Sequence, residues 1–129
     1  MTNITCGVII TLWKDEYYRR PNGDQPVEEW LQGLTKQERA GIKSKMQSLR
    51  EEGLLLISIR TLRPIRNIKK KDRRDKNLYE LVYSNLRVCT YFDSARQTLV
   101  YLRGWKKKRN IQRGDVDSCR ALLHEYLAR

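Results

Sequence analysis

Three apolar runs in the second half of the chain constrain the fold most strongly. They cover residues 78–83, 87–93 and 99–104, and short polar breaks at 84–85 and 94–97 separate them. Runs of this length with breaks this short are typical of antiparallel strands joined by tight turns. The pattern therefore predicts a three-stranded antiparallel meander.

Local signals predict the elements around this meander. Residues 4–12 alternate between apolar and polar side chains, which favours a first strand with one buried face. Pro26 followed by acidic residues indicates a helix start, and Thr35 with Glu38 forms a capping box for a second helix that Gly53 ends. Asp115 is a candidate N-cap for a final helix. The order predicts an α+β fold of residues 1–129 in one domain, with the helices against one sheet face.

Positive charge is concentrated in two segments. Residues 60–76 hold nine Lys or Arg against two Asp, and residues 103–113 hold six with no acid, in a chain of net charge +12. Because the remainder is close to neutral, the basicity is local and indicates a polyanionic partner, most commonly nucleic acid. The alternative is a generally basic surface that only aids solubility.

The cysteines, the apolar runs and the possible metal ligands indicate which kinds of protein this chain can be. Cys6, Cys89 and Cys119 are far apart in sequence and form no C-x-x-C pair, so we expect buried thiols in a reducing compartment. No apolar run approaches the roughly 20 residues that span a bilayer, and no basic n-region precedes the N-terminal apolar stretch; a cytoplasmic protein without membrane association is expected. The carboxylates show no metal-ligand spacing with His or Cys, so no metal or cofactor is expected. His124 is expected to be an exposed helix residue rather than a catalytic base.

Strand alternation predicts which side chains share a sheet face. If Val88 and Phe92 point inward, then Arg87, Cys89 and Tyr91 point outward. The inward and outward assignments depend on each other, because a shift of one residue in the alternation exchanges the faces of both groups.

The last strand extends the same argument. If Val100 and Leu102 point inward, Tyr101 and Arg103 point outward and join the first set on an uncovered face, beside the lysines that follow the strand. Arginine binds phosphate and tyrosine stacks on unpaired bases, so such a groove suits RNA. The alternative is that both tyrosines are half-buried sheet aromatics and Arg87 is a solvated strand residue.

Four motifs occur in an order that resembles a known family. They are residues 23–34 (GDQPVEEWLQGL), residues 78–81 (LYEL), Arg87 with the following Tyr91-Phe92, and residues 102–108 (LRGWKKK). In this order they resemble the phage-derived, HigB-like branch of the RelE/ParE toxin superfamily, over nearly the whole chain. Two positions depart from the family pattern: Val82 replaces an arginine, and Arg103 stands where a histidine is frequent.

The resemblance implies a RelE-like fold and the toxin half of a type II toxin–antitoxin pair. It implies an endoribonuclease that cuts mRNA on the ribosome without a metal, by attack of the ribose 2′-hydroxyl. The implied partners are mRNA, the ribosome and a cognate antitoxin, which often carries a helix-turn-helix. Two alternatives stay open: a ParE-like gyrase inhibitor that performs no chemistry, and a basic nucleic-acid-binding module without catalysis.

The resemblance also places site residues. Arg87 occupies the family's strand arginine, Tyr91 the following aromatic position, and Lys107 and Lys108 the paired lysines, so with Arg103 these five form the expected catalytic set. The expected RNA-binding set comes from the two basic segments and the neighbouring aromatics: Arg63, Arg66, Lys69, Lys70, Lys71, Tyr101, Trp105, Lys106 and Arg109.

Each catalytic residue has an expected role. Arg87 and Arg103 would stabilise the phosphorane, and acid–base chemistry would fall to Tyr91, Lys107 and Lys108. Their ordinary pKa values lie near 10, and we expect the crowded cations to lower the pKa of all three groups.

Overall fold

A computed structural model describes residues 2–5, 8–65, 72–108 and 113–129. Within these residues the helices are α1 (Pro26–Gln32), α2 (Lys36–Glu52) and α3 (Arg113–Ala128), and short 3₁₀ turns cover Gly53–Ile57 and Arg73–Asp75. The strands are β1 (Thr2–Thr5), β2 (Val8–Thr11), β3 (Lys14–Tyr17), β4 (Leu62–Pro64), β5 (Leu78–Tyr83), β6 (Leu86–Asp93) and β7 (Thr98–Lys106).

The predicted meander forms the centre of the main sheet. In the described part of the chain this sheet has five strands in the order β3-β7-β6-β5-β4. The pairs β5–β6 and β6–β7 are antiparallel; β3 adds to one edge in parallel, and β4 adds to the other edge antiparallel. The predicted α+β class and the order of strand, two helices, meander and final helix are confirmed.

The prediction of one N-terminal strand over residues 4–12 is wrong. β1 and β2 instead pair with each other, from Thr2 opposite Thr11 to Thr5 opposite Val8. The strand that joins the main sheet is the next one, β3, which lies parallel to β7. Alternation indicates that a segment is extended, but it does not indicate which strand the segment pairs with. An edge strand such as β3 can join a sheet with little apolar alternation of its own.

The first two helices begin where the sequence signals predicted. Pro26 opens α1, and at the start of α2 the Glu38 amide donates to Thr35 Oγ1 over 3.1 Å while the Thr35 amide donates to Glu38 Oε1 over 3.0 Å. Gly53 follows α2 with a φ of 54°, a conformation that glycine adopts without steric cost. The last helix begins at Arg113, so Asp115 lies in its first turn and is not the N-cap.

Helices cover both faces of the sheet, and the prediction that they cover one face is wrong. The first core joins α1 and α2 to one face through Val27, Leu31, Ile42, Met46, Leu49, Val88, Phe92 and Leu99. The second core joins α3 to the opposite face through Cys89, Val100, Leu102, Val116, Cys119, Leu122, Leu123 and Tyr126. The apolar stripe of α3 was foreseen, and burying it requires a second apolar sheet surface.

A β-bulge decides which side of the sheet Tyr101 faces. Cys89 lies opposite Arg103 and Thr90 lies opposite Tyr101, so Leu102 is the extra residue on β7. Because an extra residue reverses the alternation, Tyr101 turns toward α1 and α2, where it is 1% exposed. The expectation that Tyr101 shares an outward face with Arg103 is therefore wrong.

In the part of the chain that the structure describes, no helix is both long enough and apolar enough to cross a membrane.

Candidate functional site

Arg87 on β6 is buried and held by its own turn. Its side chain is 6% exposed, and Nη1 donates to the Ser84 carbonyl over 2.7 Å and to the Leu86 carbonyl over 2.9 Å. Nε lies 3.4 Å from Glu80 Oε1 in an ion pair. Burial lowers the pKa of Arg87 and the Glu80 carboxylate opposes this shift. Arg87 lies on the predicted face, opposite Val88, but the expectation that it is exposed to solvent is wrong.

The strands place Glu80 between two arginines. Arg63 on β4 pairs with Glu80 on β5, and Glu80 pairs with Cys89 on β6. Directly paired residues point to the same face of a sheet, so the carboxylate stands between Arg63 and the Arg87 guanidinium. The Glu80 side chain remains 19% exposed. The sequence reasoning missed Glu80, although it belongs to the L-Y-E-L motif.

Arg103 on β7 completes a row across the sheet. It lies opposite Cys89, and its Nη2 donates to Asp115 Oδ1 over 2.9 Å, which fixes the guanidinium beside the first turn of α3. The Arg103 side chain is 36% exposed. We call Arg63, Glu80, Cys89 and Arg103, together with the adjoining Arg87, the strand row.

Two guanidinium donors of the strand row make no well-aligned hydrogen bond among the described residues. Nε of Arg103 is buried and has no hydrogen-bond partner in this part of the chain, and Nε of Arg87, also buried, has only the 3.4 Å ion-pair contact with Glu80 Oε1. Buried donors are nearly always paired in folded proteins, so each such exception requires an explanation. An anionic ligand bound at Arg103, the more exposed of the two side chains, would supply an acceptor.

The lysines at the end of β7 and just after it divide between the two sides of the sheet. Lys106 Nζ lies 3.2 Å from Glu38 Oε2 of the α2 capping box, so this lysine reaches toward α2 and away from the strand row. Lys107 and Lys108 are exposed, and the Lys107 amide donates to the Asn85 carbonyl over 2.6 Å. This bond holds the lysine pair beside the turn whose carbonyls bind Arg87. Trp105, opposite Arg87, is 5% exposed.

Tyr91 lies on the predicted face but beneath α3. Its ring packs against Tyr126, with ring centroids 6.0 Å apart. It is four residues from Arg87 along the strand, or roughly 13 Å at the usual rise per residue. Burial, then the Asp93 carboxylate, raises the pKa of Tyr91, so the expectation of a lowered pKa is wrong. Burial likewise raises the pKa of Tyr101. Neither tyrosine belongs to the strand row.

Some of the expected RNA-binding residues cannot be placed. Arg66, Lys69, Lys70, Lys71 and Arg109 lie outside the described residues. Cys89 and Cys119 are buried free thiols, as expected, whereas Cys6 also lies outside the described part.

The fold brings His124 to the end of the first basic segment. Its Nε2 lies 3.2 Å from Asp75 Oδ1, and Asp72, Asp75 and His124 offer ligand atoms within 4.8 Å of one another. The expectations that His124 is exposed and that no carboxylates gather near it are both wrong.

The cluster of Asp72, Asp75 and His124 is better explained as a clamp, meaning a set of contacts that holds two segments together, than as a ligand site. The Asp75 carboxylate also accepts hydrogen bonds from Arg120 Nε and Nη2, over 3.3 and 3.1 Å, and from the Asp72 amide over 3.0 Å. Because these donors already satisfy the Asp75 oxygens, the cluster attaches the segment at Asp72–Asp75 to α3.

Comparisons with known proteins show a structural likeness at low sequence identity. No protein-family model and no curated protein matches the sequence. Among solved structures, the toxin–antitoxin complex RelBE2 from Mycobacterium tuberculosis is similar, at 16% identity and a TM-score of 0.49, over 75% of this chain and 93% of that chain. A likeness of this degree assigns neither an activity nor a partner to the chain.

Proposed function

We propose that this chain is the toxin of a type II toxin–antitoxin pair, in the HigB-like, phage-derived branch of the RelE/ParE superfamily. Its activity is cleavage of ribosome-bound mRNA without a metal, through attack of the ribose 2′-hydroxyl. The observation that carries the proposal is the strand row: arginines on three of four adjacent strands share one face, and the buried Nε of Arg103 has no hydrogen-bond partner among the described residues. The order of sequence motifs supports the same assignment.

The strand row suits the phosphate at a cleavage point. Guanidinium groups bind phosphate oxygens through charge-assisted hydrogen bonds and cannot lose their proton at neutral pH. Arg103 is partly exposed, and Arg87 lies diagonally across from it on β6, one pair along from Cys89, which is opposite Arg103. A single well-placed donor that stabilises the charge of the phosphorane is worth about 100-fold to 1000-fold in rate. Arg87 and Arg103 therefore carry this role in the proposal.

Lys107 and Lys108 supply the acid. Cleavage breaks the bond from phosphorus to the 5′-oxygen, and that oxygen must gain a proton as it leaves. Both lysines are exposed beside the turn that binds Arg87, so one ammonium can reach the leaving oxygen. Tyr91 is left out of the proposed set because α3 covers it.

The ribosome has a defined part in this proposal. Arg87 is 5% exposed, so free RNA has limited access to the strand row. Orientation of the mRNA by the ribosome can supply several kcal/mol of the barrier reduction. Free RNA is therefore expected to be a poor substrate. The proposal places the protein in the cytoplasm, with a helix-turn-helix antitoxin as its partner.

Mapping mRNA 5′ ends after incubation with translating ribosomes tests the proposal. New ends are expected with the wild-type protein, and Arg103→Ala and Lys107→Ala are each expected to reduce their rate of appearance by about 100-fold. Lys43→Ala is the matched control, since it removes one exposed lysine from α2 on the other side of the sheet. If both site variants cut at the wild-type rate, the site assignment is wrong.

Arg87→Ala is a less clean test of the same site. The guanidinium binds two turn carbonyls and the Glu80 carboxylate, so its removal leaves buried polar groups unpaired. Reduced stability is expected alongside reduced cleavage. The activity of this variant therefore has to be measured together with its unfolding curve.

One observation favours a second function without catalysis. The Arg87 guanidinium is largely occupied by its own turn, as expected if its role is structural and the protein acts by binding. A ParE-like gyrase inhibitor or a basic nucleic-acid-binding module would fit that role. Unchanged mRNA ends together with inhibited DNA supercoiling would support the gyrase inhibitor, and unchanged results in both assays would support the binding module.

A further inference from the structure

We infer that Glu80 is the general base of the proposed cleavage, taking the proton from the ribose 2′-hydroxyl. The inference rests on the proposed function and adds the proton acceptor that it lacks. Glu80 is on β5 in the centre of the strand row, with its carboxylate 3.4 Å from Arg87 Nε and its side chain still 19% exposed. A base in this position adjoins the groups that bind the phosphate.

Elimination within the strand row leads to the same residue. Arginine does not release its proton at neutral pH, so Arg63, Arg87 and Arg103 cannot accept one. Burial, then the neighbouring Cys119, raises the pKa of the Cys89 thiol, which is therefore neutral and inert. Among the side chains that the structure describes in this row, Glu80 is the one that can accept a proton.

The neighbouring acidic and phenolic groups are less suitable. Asp115 is held by Arg103 at 2.9 Å on the far side of the row, where it positions the guanidinium. Burial raises the pKa of Tyr91, and α3 covers its ring. The geometry thus separates three roles: Glu80 accepts the proton, the arginines stabilise charge, and a lysine donates the second proton.

The two arginines beside Glu80 also orient it. Arg63 lies opposite Glu80 on β4, and Arg87 Nε approaches it from β6. Directly paired strand residues have Cα atoms about 5 Å apart, so both guanidiniums lie within reach of a phosphate beside the carboxylate. A base held in a fixed position by packed neighbours is what acid–base catalysis requires.

The step balances without any further reactant. The 2′-oxygen forms a bond to phosphorus as its proton passes to the Glu80 carboxylate. The bond between phosphorus and the 5′-oxygen breaks, and the 5′-oxygen takes a proton from Lys107 or Lys108. The products are a 2′,3′-cyclic phosphate and a 5′-hydroxyl end.

The competing explanation is that Glu80 is only the counter-ion of a buried arginine. Both explanations predict damage from its removal, so loss of activity alone does not separate them. The pH dependence of the rate separates them, because the fall in rate at low pH is lost in Glu80→Gln only if this carboxylate itself accepts the proton. A leaving group that needs no proton then separates the base from the acid, because a thiolate departs unprotonated. A substrate with a bridging 5′-sulfur at the cut site therefore restores variants that lack the acid, but not variants that lack the base.

The experiment uses synthetic mRNAs bound to ribosomes, with oxygen or sulfur at the 5′-bridging position of the mapped cut. Glu80→Gln is expected to lose about 100-fold or more in rate on both substrates. Lys107→Ala and Lys108→Ala are measured on the same two substrates. The variant whose missing lysine is the general acid is expected to cut the oxygen substrate slowly and the sulfur substrate at close to the wild-type rate. Far-UV circular dichroism and urea unfolding of each variant report the fold.

Three results overturn the inference. The first is cleavage of the oxygen substrate by Glu80→Gln at the wild-type rate. The second is a defect of Glu80→Gln that disappears on the sulfur substrate, which would make Glu80 the acid. If Glu80→Gln does not fold, Glu80→Asp keeps the charge beside Arg87 but withdraws the carboxylate by one methylene. It is expected to fold and to lose at least about tenfold in rate, and wild-type cleavage by this variant is the third overturning result. Absence of cutting by the wild-type protein instead refutes the proposed function itself.

Discussion

Gly104 on β7 offers the sharpest test of how α1 packs on the sheet. A Cβ added at this position would lie less than 3.0 Å from Cε3 and other indole atoms of Trp30, against an ordinary contact of 3.4–4 Å. Gly104→Ala therefore forces the indole or α1 away from the strand, at a cost of about 1–3 kcal/mol. Alanine is itself better than glycine inside a strand by about 0.5–1 kcal/mol. The expected net loss of stability is about 0.5–2 kcal/mol.

Removing the indole should reverse the sign of the effect. In a Trp30→Leu background the ring atoms that meet the new Cβ are absent, so only the intrinsic preference remains. Gly104→Ala is then expected to stabilise the protein by about 0.5–1 kcal/mol. The coupling between the two positions is therefore about 1–3 kcal/mol, the size of the steric cost.

Urea unfolding followed by far-UV circular dichroism measures all four proteins of the cycle. Circular dichroism is preferred because Trp30→Leu alters the fluorescence. Gly114→Ala is the matched control: a Cβ there meets nothing within 4 Å, so its effect should be equal in both backgrounds. Stabilisation by Gly104→Ala in the wild-type background, or a coupling below about 0.5 kcal/mol, would refute the packing argument.

Two further predictions concern titration and thiol chemistry. Burial alone would raise the pKa of Asp75, but hydrogen bonds from Arg120 and the Asp72 amide outweigh it and lower the pKa, and hydrogen bonds from Arg74 lower the pKa of Asp72 to about 2. A carboxyl with a lowered pKa stabilises the fold above its ordinary value near 4 and loses that contribution as the pH falls toward the lowered value. Urea unfolding from pH 5 to pH 2 should therefore show a steep loss of stability, and a shallower one in Asp75→Asn; parallel curves would contradict the clamp. Cys89 is fully buried and its pKa is raised by burial, so a thiol reagent should modify it only after unfolding, as measured by mass spectrometry; rapid modification of native Cys89 would show that α3 does not stay on the sheet.

Local signals predicted local structure well. The capping box of Thr35 and Glu38, the stop at Gly53 and the tight turns of the meander all depend on residues within a few positions of one another. Hydrogen bonds over such short separations are decided by the residue types themselves. This is why the element order and the α+β class were predicted correctly.

The candidate site was predicted only in part. Alternation correctly put Arg87, Cys89, Tyr91 and Arg103 on the face opposite Val88, but it wrongly put Tyr101 there as well. Alternation did not predict that α3 packs on this face, because the apolar stripe of α3 could pack on either face of the sheet. Nor did it identify Glu80, whose importance depends on pairing with another strand.

The sequence by itself determined where α1 and α2 begin, how the charges are distributed along the chain, and which side chains alternate on β6. Tertiary structure decided which partner each strand takes, where the bulge between Tyr101 and Arg103 reverses the alternation, and which face α3 covers. The physical reason is the range of the interactions. Capping and turn formation involve neighbours in sequence, whereas register and burial depend on contacts between residues far apart in the chain, such as Glu80 with Arg63 and Cys89 with Cys119.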